Sequence, residues 1–138
     1  MKNNKAIWAI PVVILFLICS QSTVSQNYAQ SVPDEIIFAL NKGDVERLAA
    51  KFDKNISLTI NTQTGTYGAI DAKKLLSDFF IKNTVENFKI VHQGGSEKSC
   101  FVIGTLKTAN GSFRVYVLMR GKPLVIQQII IGNEREKN

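Results

Sequence analysis

The feature that most constrains this chain is the pair Asn110-Gly111, which lies between two long β-rich runs at residues 99–109 and 112–120. Asn-Gly is the dipeptide that most favours a tight hairpin, because both positions of such a turn need a positive φ. Two further β-rich runs flank this pair of runs, at 85–93 and 124–131. The C-terminal half of the chain therefore predicts an antiparallel sheet built around one hairpin.

The register of this hairpin decides which side chains share a face. A two-residue turn at Asn110-Gly111 would place Ala109 opposite Ser112 and would align the two runs along their whole length. One face then takes the helices, whereas the other carries Phe101, Ile103, Tyr116 and Leu118. An antiparallel sheet with one wet face alternates apolar and polar residues more cleanly than this. We therefore expect the second face to be covered as well, by a second subunit.

The residues before this sheet predict three helices and one strand. Pro33 and the acidic pair after it begin the first helix, and Gly43-Asp44 separates it from the second. The alternating run 56–60 predicts a strand, and 64–68 a turn or an irregular edge. The third helix, capped by Asp71 and ended by Asn83, has the clearest helical spacing. Its apolar residues are Ala72, Leu75, Leu76, Phe79 and Phe80.

The N-terminal residues carry the pattern of a secretory signal peptide. Lys2 and Lys5 precede an apolar run over 6–18, and Thr23 and Ser25 supply the small residues of a cleavage site before residue 26. The apolar run is about a dozen residues long, whereas a membrane-spanning helix needs about 20. The predicted divisions are a signal peptide at 1–25, a tether at 26–31, a domain at 32–132 and a polar tail at 133–138.

This pattern predicts an exported protein, periplasmic or secreted, with no stable membrane anchor after cleavage. An uncleaved N-terminal anchor and a lipoprotein acylated at Cys19 stay open as alternatives. A bacterial lipobox favours small residues before its cysteine, and here Phe16-Leu17-Ile18 precede it. After cleavage Cys100 would be the lone cysteine, so the sequence predicts no internal disulfide.

The composition argues against several classes of partner and site. The formal net charge is +6, but the basic residues are scattered rather than clustered, so we expect no nucleic-acid partner. His92 is the only histidine, and a zinc site needs three or four convergent ligands, so we expect no metal and no cofactor. A Cys100–His92 pair could support nucleophilic catalysis, but a buried thiol and a strand-end histidine are the simpler interpretation.

One stretch of the chain resembles a known superfamily. The segment 39–45, followed by Leu48-Ala49 and Phe52, is similar to the opening of the nuclear-transport-factor-2-like (cystatin-like) superfamily. The resemblance covers Val32 to Gly132 and implies an α+β fold: three N-terminal helices packed on a curved antiparallel sheet, in the shape of a cone. More narrowly, the chain resembles a family of short exported Bacteroidota proteins whose domain has no assigned function.

This resemblance does not select an activity, because the superfamily holds ketosteroid isomerases and polyketide cyclases as well as proteins that only bind or dimerise. Isomerases of this fold use a carboxylate with a tyrosine and a protonated carboxylic acid. The strand region after Asn83 offers only Glu86 and Glu97. We therefore predict no catalytic residue and favour a non-catalytic ligand-binding or accessory module. A lyase or isomerase acting on a hydrophobic substrate in the cone, and a homodimerisation module, are the alternatives.

The candidate site residues follow from these hypotheses. A ligand pocket is mostly apolar with a few placed polar groups, and the candidates for those groups are Tyr67, Tyr116, Gln127 and Gln128. The candidate dimer face is Phe101, Ile103, Tyr116 and Leu118. The expected partner is a small ligand or another protein, including a second copy of the chain.

Overall fold

The computed structural model describes residues 31–134 as three helices and six strands. The helices are α1 (Asp34–Lys42), α2 (Val45–Ala49) and α3 (Ala69–Lys82). The strands are β1 (Phe52–Ile60), β2 (Gln63–Gly68), β3 (Val85–Ser96), β4 (Ser99–Thr108), β5 (Gly111–Arg120) and β6 (Val125–Asn133). The predicted signal peptide, the tether up to residue 30 and the tail beyond Glu134 lie outside these residues. Within 31–134, no helix is long and apolar enough to cross a membrane.

The six strands form one sheet in the order β2-β1-β6-β5-β4-β3. The α+β class is confirmed, but the sheet is not wholly antiparallel, because β1 pairs with β6 in parallel. The segment expected to be a turn or irregular edge is the regular edge strand β2, which pairs with β1 along its whole length. Bulges interrupt the register in β1, β3 and β6, and a bulge bends the strand that carries it.

The junction between α1 and α2 is the one the sequence predicts. Gly43 has a φ of 62° at the end of α1, in the left-handed region that glycine tolerates best. The Asp44 side chain caps α2 by accepting the backbone N–H of Arg47 at 3.2 Å. A Cβ atom at position 43 would lie 3.0 Å from a methyl group of Val85. Glycine at this position therefore allows both the turn and the close approach of β3.

The boundaries of α3 differ slightly from the prediction. The helix begins at Ala69, so Asp71 lies in its first turn rather than at the cap. At the other end, the backbone N–H and the side-chain Nδ2 of Asn83 both donate to the carbonyl oxygen of Phe79 at 2.9 Å. Asn83 therefore ends the helix, as the sequence predicts.

The hairpin turn lies one residue earlier than predicted. Thr108 pairs with Gly111, so the turn residues are Ala109 and Asn110. The Thr108 hydroxyl donates to the Gly111 carbonyl at 2.8 Å and accepts the Asn110 N–H at 3.1 Å. The Ala109 N–H donates to the carbonyl of Thr84 at 2.9 Å. These contacts, which fix the turn against the start of β3, select the observed register.

The core is a single apolar cluster between the helices and one face of the sheet. Helix residues such as Leu76 and Phe79 meet strand residues such as Phe113, whose ring lies edge-on to Phe79 with the centroids 5.0 Å apart. Among the described residues, Thr108 is the one buried polar side chain. The described helices therefore pack against the sheet through apolar side chains.

Candidate functional site

The face of the sheet directed away from the helices carries a continuous set of half-buried side chains. It comprises Phe101, Ile103, Tyr116, Leu118, Gln128 and Ile130, and we call it the outer face. Phe101 lies opposite Leu118, and Ile103 opposite Tyr116. The four residues predicted as a dimer face are therefore adjacent in the fold. The sequence did not predict that Ile130 belongs to this face. Ile130 lies opposite Tyr116 on β6.

Aromatic rings follow one another across this face. The His92 ring lies 5.5 Å from that of Phe101, and the Phe101 ring lies 6.2 Å from that of Tyr116, between centroids. These separations fall in the range in which aromatic pairs attract one another. The rings place aromatic carbon at the centre of the outer face, next to two polar groups, the His92 imidazole and the Tyr116 hydroxyl.

Charged groups lie at the ends of the outer face. At one end, Arg114 donates to Glu134 at 2.6 Å, and Glu134 also accepts the Thr105 hydroxyl at 3.2 Å. Glu134 belongs to the segment predicted as a polar tail, but here it is bonded to the sheet. Arg120 lies at the other end of β5. The outer face therefore has an apolar centre bounded by polar ends.

The four residues predicted to line a ligand pocket do not converge. Tyr116 and Gln128 lie on the outer face. Gln127 lies at the bulge in β6, where its Nε2 donates to Asp53 at 3.2 Å. Tyr67 lies on β2 and packs against the core cluster on the other side of the sheet. The structure does not bring these four candidates together, because the pleat and the bulge in β6 direct them to different parts of the sheet.

Tyr67 nevertheless has a specific setting. Its ring lies along β2 over Gly65, where a Cβ atom would come within 2.8 Å of the phenol oxygen. The ring borders a small recess of about 10 Å³ with Leu58 and Leu75. Glycine at position 65 therefore leaves the space that the Tyr67 ring occupies.

A larger cleft opens next to this recess, between the turn joining β1 to β2 and the C-terminal half of α3. Its volume is about 380 Å³. Its floor is apolar and is formed by Ile60, Leu75 and Phe79. Its two walls are polar: Asn61, Thr62 and Gln63 on the turn, and Asp78, Lys82 and Asn83 on the helix side. Sequence reasoning missed this cleft, because nothing in the local pattern places the turn opposite the helix.

Cys100 and His92 do not form a catalytic pair. Cys100 is buried on the core side of β4, whereas His92 is exposed and lies opposite Ile103 on the outer face. Burial raises the pKa of the Cys100 thiol above its ordinary value. The thiol is therefore neutral and unreactive near neutral pH.

We expect this burial to control the chemistry of Cys100. At pH 7 a maleimide should label Cys100 of the folded protein at least about 100-fold more slowly than in urea, because reaction requires an opening of the core. Because the thiolate is the reacting species and the thiol is reached only when the core opens, labelling of the folded protein should stay slower than labelling in urea at every pH at which the domain is folded. Peptide mapping after timed labelling measures this rate. Rapid labelling of the folded protein at pH 7 would contradict the assignment.

Within residues 31–134, no group of three or more His, Cys, Asp or Glu side chains is placed to hold a metal ion. Some acidic residues on the helices form ion pairs on the surface. Glu46, for example, pairs with Lys73 at 2.7 Å, and Glu35 with Lys51 at 2.9 Å.

The chain is similar to one described protein family and to several solved structures. A family described as a domain of unknown function, DUF4783, matches residues 33–132. A DUF4783 family protein from Bacteroides ovatus is 32% identical, with 78% of this chain and 99% of that chain covered and a TM-score of 0.73. A DUF4783 family protein from Bacteroides uniformis is 34% identical, with 76% and 99% covered and a TM-score of 0.73. No curated protein matches the chain.

The fold also occurs in more distant structures. A putative polyketide cyclase from Sinorhizobium meliloti has a TM-score of 0.56 at 10% identity, with 72% of this chain and 94% of that chain covered. At this identity the likeness shows the fold alone, and a fold of this kind hosts many functions.

Proposed function

The chain belongs to the DUF4783 family and has a nuclear-transport-factor-2-like fold, and from this premise we propose that it is a non-catalytic binding module that acts as a homodimer joined through its outer face. Its predicted signal peptide would place the dimer outside the cytoplasm. The observation that carries the proposal is the distribution of side chains on the outer face, which is apolar in the middle and charged at its ends.

This distribution is the one found in protein interfaces, where an apolar centre rich in aromatic residues is surrounded by a polar rim. Phe101 and Tyr116 supply the aromatic centre. The Arg114–Glu134 pair and Arg120 lie at the rim. Tyr116 and Gln128 each keep a polar group within the apolar area, and in a dimer these groups can bond to the facing copy.

The size of the face also fits a second copy. The outer face lies on one side of the six-stranded sheet. Six strands spaced about 4.8 Å apart, with a ten-residue central strand, give that whole side dimensions of about 24 by 34 Å, or roughly 800 Å². A standard stable interface buries about 800 Å² on each partner. Two such faces can pack against each other as sheets do in a sandwich, about 10 Å apart.

The packed core supports binding rather than catalysis of the isomerase type. That chemistry needs a carboxylate and an oxyanion partner facing a substrate in the cone. Among the described residues the cone interior is lined by apolar side chains, and the buried Thr108 hydroxyl is already bonded to Gly111. A dimerising module needs no such cavity.

The proposal predicts that Leu118→Glu dissociates the dimer. Two carboxylates would be buried at the centre of the interface, so the dimer Kd should rise at least about 100-fold, or about 2.7 kcal/mol. Sedimentation velocity of protein expressed from the full chain, across nanomolar to high micromolar concentrations, measures the change.

Ile81→Glu is the matched control, because Ile81 is 75% exposed on α3 and remote from the outer face. This variant should sediment as the native dimer does. A native protein that is monomeric at high micromolar concentration overturns the homodimer. An unchanged Kd for Leu118→Glu overturns the placement of the interface.

A further inference from the structure

We propose that the cleft between the β1–β2 turn and α3 binds a short peptide that has free termini and an apolar side chain. The cleft lies on a different part of the molecule from the outer face, so the proposal stands independently of the dimer. Its volume of about 380 Å³ falls within the range of about 300–1,000 Å³ that is usual for small-molecule sites. The chemistry of its walls and floor indicates the class of ligand.

The helix wall presents one negative and one positive group. Asp78 and Lys82 are four residues apart on α3, in the order that most favours an ion pair within a helix. The two side chains do not form a salt bridge, and neither pairs with another side chain among residues 31–134. Both charges border the cleft and are available to a ligand.

The spacing of these two residues along α3 suits a dipeptide. Four residues of helix rise about 6 Å, and two extended residues of a peptide span at most about 7 Å. A free α-ammonium group can therefore lie at Asp78 while the terminal carboxylate lies at Lys82. Charge-assisted hydrogen bonds of this kind are about twice as strong as those between neutral groups.

The opposite wall offers neutral hydrogen-bonding groups. The side chains of Asn61, Thr62 and Gln63 border the cleft and make no hydrogen bond to another described side chain in this structure. The carboxamides of Asn61 and Gln63 each carry hydrogen-bond donors and an acceptor. They can therefore pair with both the C=O and the N–H of a peptide bond. Asn61 has a φ of 55°, and its backbone N–H donates to the carbonyl of Ile131 at 2.7 Å, which ties the turn to β6.

The apolar floor of the cleft is the reason why the proposed peptide carries an apolar side chain. Ile60, Leu75 and Phe79 line it. Ile60 and Leu75 are half-buried and offer apolar surface, whereas Phe79, which is 5% exposed, belongs to the core beneath them. An aliphatic side chain laid on this floor removes apolar surface from water. A neutral sugar would leave both charges unpaired, and an inorganic anion would leave Asp78 and the floor unused.

The test is a titration of the full chain, labelled with ¹⁵N, with the dipeptide alanyl-leucine, followed by NMR. We expect saturable shifts at residues 60–63 and 75–83, with a Kd near or below about 1 mM. Asp78→Asn and Lys82→Met should each weaken binding at least about tenfold. N-acetylation of the dipeptide should weaken binding to the native protein by the same factor as Asp78→Asn, and should cause no further loss in that variant.

Asp71→Asn and Lys74→Met are the matched controls, because both residues are exposed on α3 outside the cleft. These variants should bind the dipeptide as the native protein does, and Leu118→Glu should also bind it. The proposal is overturned if the cleft resonances do not shift at several millimolar dipeptide. It is equally overturned if the acetylated, amidated peptide, a neutral disaccharide or inorganic phosphate binds as well as the zwitterion.

Discussion

Gly104→Val should destabilise the domain by at least about 3 kcal/mol, the upper end of the range for overpacked cores. Gly104 lies on the core side of β4, directly beneath the ring of Phe88. A Cβ atom there would lie 2.5 Å from the ring carbon Cε2 and 2.6 Å from the backbone oxygen of Lys89. The backbone oxygen cannot move without breaking the pairing of β3 with β4. Thermal unfolding should show a fall in Tm of at least about 12 °C.

Two further variants identify the cause of this loss. Gly132→Val is the matched control, because a Cβ atom at position 132 meets nothing within 4 Å, and it should change the free energy of unfolding by less than about 0.5 kcal/mol. Phe88→Ala removes the ring that occupies the space above Gly104. In that background Gly104→Val should cost less, by about 1–3 kcal/mol. Strict additivity of the two substitutions would show that the ring and the glycine are not in contact.

The hairpin shows why a sequence predicts the sheet face on which a side chain lies better than it predicts the residue opposite it on the next strand. The Asn110-Gly111 signal correctly joins β4 to β5, but the observed register differs by two residues, so Ile103 lies opposite Tyr116 rather than Leu118. Because side chains alternate with a period of two, a shift of two residues leaves each on its predicted face. The choice between the two registers depends on the contact of the turn with Thr84, which is a tertiary contact invisible in a local pattern.

Long-range pairing limits the sequence-based prediction in the same way. The apolar spacing of α3 and the cap at Asp44 are local, and both were predictable. The parallel pairing of β1 with β6 joins residues about 70 positions apart, such as Leu58 and Ile129. The cleft depends on a turn and a helix that meet only after folding. Local periodicity contains neither relation, so it identifies candidate site residues by their chemical type and does not place them next to one another in the fold.

Phe79→Ala should also be strongly destabilising, by about 3–5 kcal/mol. Phe79 is 5% exposed, and its ring makes edge-to-face contacts with Phe80, at 5.4 Å between centroids, and with Phe113, at 5.0 Å. Truncation would leave a cavity at the point where α3 packs on the sheet. It would lower the free energy of unfolding through lost transfer energy and lost packing together, with a fall in Tm of at least about 12 °C.

Ile81→Ala is the control for Phe79→Ala, because it lies two residues further along the same helix but is 75% exposed. It should change the free energy of unfolding by less than about 0.5 kcal/mol. Both substitutions place alanine, the best helix former, in α3, so helix propensity favours both variants. A difference between their free energies of unfolding in urea therefore measures the effect of burial. If Phe79→Ala unfolded at the native urea concentration, α3 would not close the sheet. Since Phe79 also forms the floor of the cleft, both the core packing and the proposed peptide site would then be wrong.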